Sequence, residues 1–174
     1  MPSTSRGASR RGVVLHALSL LALLASALPR FERRAHAAER IVLSVIVAKD
    51  SNRAGVKMSE LRRIFTNADD SGFSGQRSVP FNHTAGSSDR VGFDRSVLRM
   101  NPEEVSRFWI DRKIRGLPGP PRAVDSLSQL LRLVALTPGG IGYVRPTQVS
   151  REVRAIRVDG KLPSDAGYPL EFGE

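Results

Sequence analysis

The chain has no cysteine, which excludes disulfide staples, thiolate metal sites and thiol nucleophiles together. Histidine is almost as scarce, because two of the three, His16 and His36, fall in the first 37 residues and leave only His83 beyond them. Zinc sites of the Cys or His type are therefore out of reach within one chain. A Ser-His-Asp hydrolase would have to use His83, yet Gly86-Ser87-Ser88-Asp89 lacks the Gly-x-Ser-x-Gly elbow and lies only a few residues away. No phosphate-binding Gly-x-x-x-x-Gly-Lys or dinucleotide fingerprint is present. Asp69 and Asp70 are adjacent in a Gly-rich loop and do not make a converging acid and base pair. These absences argue against an enzyme and against a resident cofactor or metal.

Long hydrophobic runs are also missing. The longest, Val13 to Leu28, is about 16 residues and includes His16 and Ser19, short of the roughly 20 a membrane-spanning helix needs. Arg6, Arg10 and Arg11 precede it and Ala35-His36-Ala37 follows it, the order of a secretory signal peptide. Residues 1–37 are read as that leader, cleaved after Ala37 or after Ala27, and 38–174 as one exported or periplasmic domain with no stable membrane span. The leader carries six Arg and one Glu, so its removal lowers the net charge from +10 to +5. What basic charge remains is interleaved with acid (Glu103, Glu104, Arg107, Asp111, Arg112), a solvated surface and not a nucleic-acid stripe.

The rest reads as alternating strands and helices, hence an α/β domain. Ile41–Ala48 is a β-branched run expected as one buried strand. Leu61, Ile64 and Phe65 mark a short amphipathic helix. Asn101-Pro102-Glu103-Glu104 is a capping box with proline at the first helical position, opening a helix with Val105, Phe108 and Trp109 on one face. Leu117–Pro121 is a stiff connector without a strand of its own. Asp125 or Ser126 caps a helix with Leu127, Leu130, Leu131 and Val134 on one face, and Pro138-Gly139-Gly140 ends it. Ile141–Val144 and Val153–Val158 are the remaining strands, the latter closed by a turn at Asp159-Gly160.

The segment Asn82–Arg90 lies between the strand-like Ser78–Phe81 and the helix-like Val91–Met100. A small-residue loop opening a helix leaves backbone N–H groups free, where the macrodipole favours an anion. Ser87 as a plain N-cap is the alternative reading. The candidate anion-binding set is Gly86, Ser87 and Ser88, with Thr84, His83 and Arg90 as accessories. Asp89 brings a carboxylate to the same turn, and Arg90 is the nearest cation in sequence to offset it. His83 would add a charge-assisted donor only when protonated, so its participation predicts tighter binding as pH falls through about 6.5.

Several of these stretches, Leu61-Arg62-Arg63-Ile64-Phe65, Gly86-Ser87-Ser88 ahead of Phe93, Phe108-Trp109, and above all Leu136-Thr137-Pro138-Gly139-Gly140-Ile141-Gly142-Tyr143-Val144, occur in the order in which they resemble the substrate-binding proteins of phosphate ABC transporters. The resemblance covers roughly residues 41–170 and extends to Val158–Pro163 and Tyr168-Pro169-Leu170. It implies a periplasmic-binding-protein type II-like single lobe, a mixed sheet flanked by helices, with Gly86, Ser87 and Ser88 on the family's phosphate loop. In that loop an arginine and an aspartate usually precede the Gly-Ser part; here Asn82 and Thr84 stand in their places. The implied partners are phosphate or a related oxyanion and an ABC permease. The rival expectation is an envelope accessory or interaction protein that keeps the lobe as a scaffold and binds another protein instead.

Overall fold

The computed structural model describes residues 40–67 and 77–173, all within the unit Ala38–Glu174. The leader reading and the loop at Asp69 and Asp70 lie outside the described residues. In chain order the elements are β1 (Arg40–Val42), β2 (Ser44–Ala48), β3 (Gly55–Val56), α1 (Met58–Thr66), β4 (Val79–His83) and α2 (Ser88–Phe93), which runs into a π-helical turn (Asp94–Leu98). There follow α3 (Pro102–Ile114), β5 (Arg122–Val124), α4 (Leu127–Leu136), β6 (Gly140–Val144), a 3-10 turn (Pro146–Gln148), β7 (Val153–Ala155), β8 (Arg157–Val158) and β9 (Glu171–Gly173). No helix among the described residues is long and apolar enough to cross a membrane.

The main sheet has the order β5-β4-β6-β2-β7. It is mixed: β4 runs parallel to β5 and β6, whereas β2 runs antiparallel to β6 and β7. The β-branched run at the start is two strands, not one. It breaks at Leu43, whose N–H bonds the carbonyl of Leu170 at 3.0 Å, and β1 pairs with β9 in a separate ribbon. Val153–Val158 likewise divides at Ile156, whose N–H goes to Val45, and β8 pairs with β3 instead.

Both faces of the sheet are covered, which is why β2 is apolar at consecutive positions. Val45 and Val47 join Leu61, Ile64, Phe65, Phe93 and Val97 on one side, and Ile46 joins Leu130, Leu131 and Val134 on the other. On that second side α4 lies so close that a Cβ at Gly142 would stand 3.0 Å from Val134 Cγ2.

The local signals carry over where they rest on caps. Asn101 Oδ1 accepts from Glu104 N at 3.0 Å and Glu104 Oε2 accepts from Asn101 N at 2.7 Å, satisfying two of the helix's orphan donors reciprocally. Ser126, not Asp125, caps α4. The helix expected from Val91 begins at Ser88 and loosens into the π turn, where Arg62 Nε takes the carbonyl of Val97 at 2.6 Å. β5 had no apolar signature to find, since Arg122 and Ala123 are exposed on an edge strand.

Candidate functional site

The end of β4 delivers Asn82 and His83 to the edge of the core, so the loop proper is only Thr84–Ser87. Asn82 is buried, and its Oδ1 accepts both the Tyr143 hydroxyl and the His83 N–H. Asn82 therefore holds the strand end to β6. Tyr143 stacks on Phe93 with ring centroids 3.8 Å apart, and burial holds its hydroxyl well above the usual phenol range. This buried floor lies directly beneath the loop.

The turn itself is closed by Ser87. Its N–H and its Oγ both donate to the Thr84 carbonyl, at 3.3 and 3.1 Å, and its Oγ accepts from Arg90 N at 3.3 Å. Gly86 has φ +86° with open space where a Cβ would stand, so the requirement for glycine is purely backbone. The N-cap reading of Ser87 is what the geometry shows. It does not exhaust the helix start, because the N–H groups of Ser88 and Asp89 have no hydrogen-bond partner among the described residues.

Two of the accessory residues are engaged elsewhere. Arg90 is buried; its Nε bonds Asp94 Oδ2 at 2.6 Å and its Nη1 the His83 carbonyl at 3.3 Å. It thus ties the helix to the strand end and does not offset Asp89. Asp94, whose other oxygen has no partner in the described structure, is pushed above the ordinary carboxylate range by burial, with Arg90 opposing the shift. His83 is half-buried and places Nε2 2.9 Å from the Tyr143 carbonyl, which commits that nitrogen to donating.

The cation at the loop is one that sequence spacing did not reveal. Arg145 Nε bonds Asp89 Oδ1 at 2.9 Å, and Arg145 Nη2 donates to Ser88 Oγ at 3.3 Å. Its position follows from topology: β4 and β6 are parallel neighbours, so the residue just after Val144 emerges beside the loop just after His83. Gln148 fixes the Arg145 backbone, accepting its N–H at 3.0 Å. Ser88, Asp89 and Arg145 are thereby brought together next to the Thr84–Ser87 turn, while His83 and Arg90 are held by Tyr143 and Asp94. No group of His, Asp and Glu among the described residues is arranged to hold a metal ion.

No protein-family profile and no curated protein matches the chain. Solved structures do. An ABC-type phosphate transport receptor from Vibrio cholerae aligns with TM-score 0.58 and 17% identity, over 76% of this chain and 54% of the receptor. PstS from Borrelia burgdorferi aligns with TM-score 0.56 and 13% identity, over 77% and 55%. A structure with bound phosphate from Clostridium perfringens, described as a phosphate ABC transporter substrate-binding protein, gives TM-score 0.53 and 22% identity, over 70% and 46%. The chain spans about half the length of the solved proteins it matches. Its mixed α/β architecture is accordingly the fold of the phosphate-transport receptors, carried over about half of their length.

Proposed function

We propose that the chain is an exported single lobe that binds a small oxyanion, phosphate foremost, at the start of α2, and serves as the substrate-binding component of an ABC transporter. One observation carries the reading: unpaired N–H groups at Ser88 and Asp89 converge with the Ser88 hydroxyl and the Arg145 guanidinium. Aligned N–H groups, a helix dipole and a planar cation each favour an anion, and together they favour it at one spot. Thr84, exposed in the same turn, offers a further hydroxyl close in sequence.

Asp89 narrows the ligand class. An ionised carboxylate only accepts hydrogen bonds, so beside it a bound anion must still carry a proton. Phosphate near neutral pH does, and sulfate does not. Isothermal titration of the protein with phosphate and sulfate in parallel tests this, repeated with Ser88→Asp. Micromolar phosphate binding, weaker sulfate binding and loss of both in the variant are expected.

A second reading is an envelope interaction lobe without a ligand. It is favoured by Asp89 itself, which already neutralises Arg145 in a partly buried pair. No heat at millimolar phosphate from a folded sample decides for it.

A further inference from the structure

We infer that the outward face of α3 is a self-association surface, on which a second copy of the chain docks with its own α3 antiparallel. Independently of any anion, α3 presents apolar side chains in the wrong direction for its own fold. Val105 and Trp109 pack on the core, and Arg112 lies over the Phe108 and Trp109 rings. On the opposite pole Ile110 is 56% exposed and Ile114 81%, and Leu117, just past the helix end, is 45% exposed. Of the four exposed large hydrophobic residues among the described ones, three stand on this helix or just beyond its end. A spacing of four residues keeps Ile110 and Ile114 on one face, and such a concentration marks an interaction surface where scattered exposed side chains do not.

Charge identifies the occupant. The helix is acidic at its start, Glu103 and Glu104, and basic at its end, Arg112 and Lys113. A parallel pair sets like ends together; an antiparallel pair sets acid against base, twice over by the two-fold axis. In the register that puts Glu103 of each copy opposite Lys113 of the other, Ile110 falls over the small Ser106 and Ile114 over Pro102. Glu103 already meets Arg107 within its own helix at 3.0 Å, but both side chains are three-quarters or more exposed and that pair holds it weakly. A seam one helix long, about 20 Å for 13 residues, is smaller than a standard permanent interface. The association is therefore reversible and concentration-dependent.

Light scattering of the full chain over rising concentration tests the inference. A mass moving from monomer to dimer is expected, with Ile114→Glu monomeric and its circular dichroism unchanged. Glu103→Lys and Lys113→Glu should each shift the midpoint at least tenfold towards monomer, and the combined exchange should restore it. A monomer persisting to about 1 mM, where even a 4 kcal/mol association would show, overturns the proposal. So does a dimer indifferent to Ile114→Glu, or a combined exchange no better than the single ones.

Discussion

Gly92 is buried on α2, facing the last strand. A Cβ built there falls 1.9 Å from both Cε2 and Cζ of Phe172. Ordinary contact begins at 3.4 Å, so the ring would have to retreat by about 1.5 Å. Phe172 is partly buried against the main core, and its strand is tied to β1 through Ile41, so the ring cannot withdraw without losing packing or opening the ribbon. Overpacking of this kind costs about 1–3 kcal/mol, while replacing a helical glycine by alanine returns roughly 0.5–1 kcal/mol. Gly92→Ala is therefore expected to destabilise by about 1–2 kcal/mol, a fall in Tm of several degrees for a domain of this size. In a Phe172→Ala background the clash is gone and only the helix term remains, so the same substitution should stabilise. Urea unfolding of the four proteins in the cycle measures both signs. Equal effects in the two backgrounds, or stabilisation in the native background, would refute the packing of the C-terminal strand on α2.

Arg145→Gln removes the guanidinium from Ser88 and Asp89; a charge-assisted bond is worth about 1.5–3 kcal/mol, so phosphate should bind about tenfold more weakly or worse, and an unchanged Kd by titration would take Arg145 out of the site. Asn101→Ala deletes half of the α3 capping box and should cost about 0.5–2 kcal/mol in chemical denaturation. Asp94 is raised above its ordinary 3.8 by burial, so the folded state holds its proton more tightly than the unfolded chain does. The stability it contributes is present in full below 3.8 and is lost as pH rises through the higher folded value. Wild type should therefore lose stability relative to Asp94→Asn across that interval; a relative gain with rising pH would mean that the Arg90 pair outweighs burial.

Features that depend on neighbouring residues were legible without the fold. The capping box at Asn101 and Glu104 and the apolar face of α4 arise within one or two turns of chain and are where the pattern places them, and the cap expected at Asp125 or Ser126 falls on Ser126. The glycine at 86 and the hydroxyl at 87 announce a turn for the same reason, since φ sign and cap geometry are local. Strand limits were less legible. Ile41–Ala48 reads as one strand because hydrophobic pattern reports burial, and burial continues through Leu43 while the hydrogen-bond partner changes.

The candidate site divides along the same line. Local sequence offered Ser87 as a cap ahead of a helix, and the lack of Cys and scarcity of His ruled out thiol chemistry and zinc sites of the Cys or His type and argued against a triad. Only the tertiary structure decided which cation serves it. Arg90, adjacent in sequence, projects into the core because the helix turns about 100° per residue and Asp94 waits one turn on. Arg145, 56 residues from Asp89, arrives because two parallel strands end side by side. Charge acts through space across a few ångströms, and the order of residues along a chain does not record which strands will be neighbours.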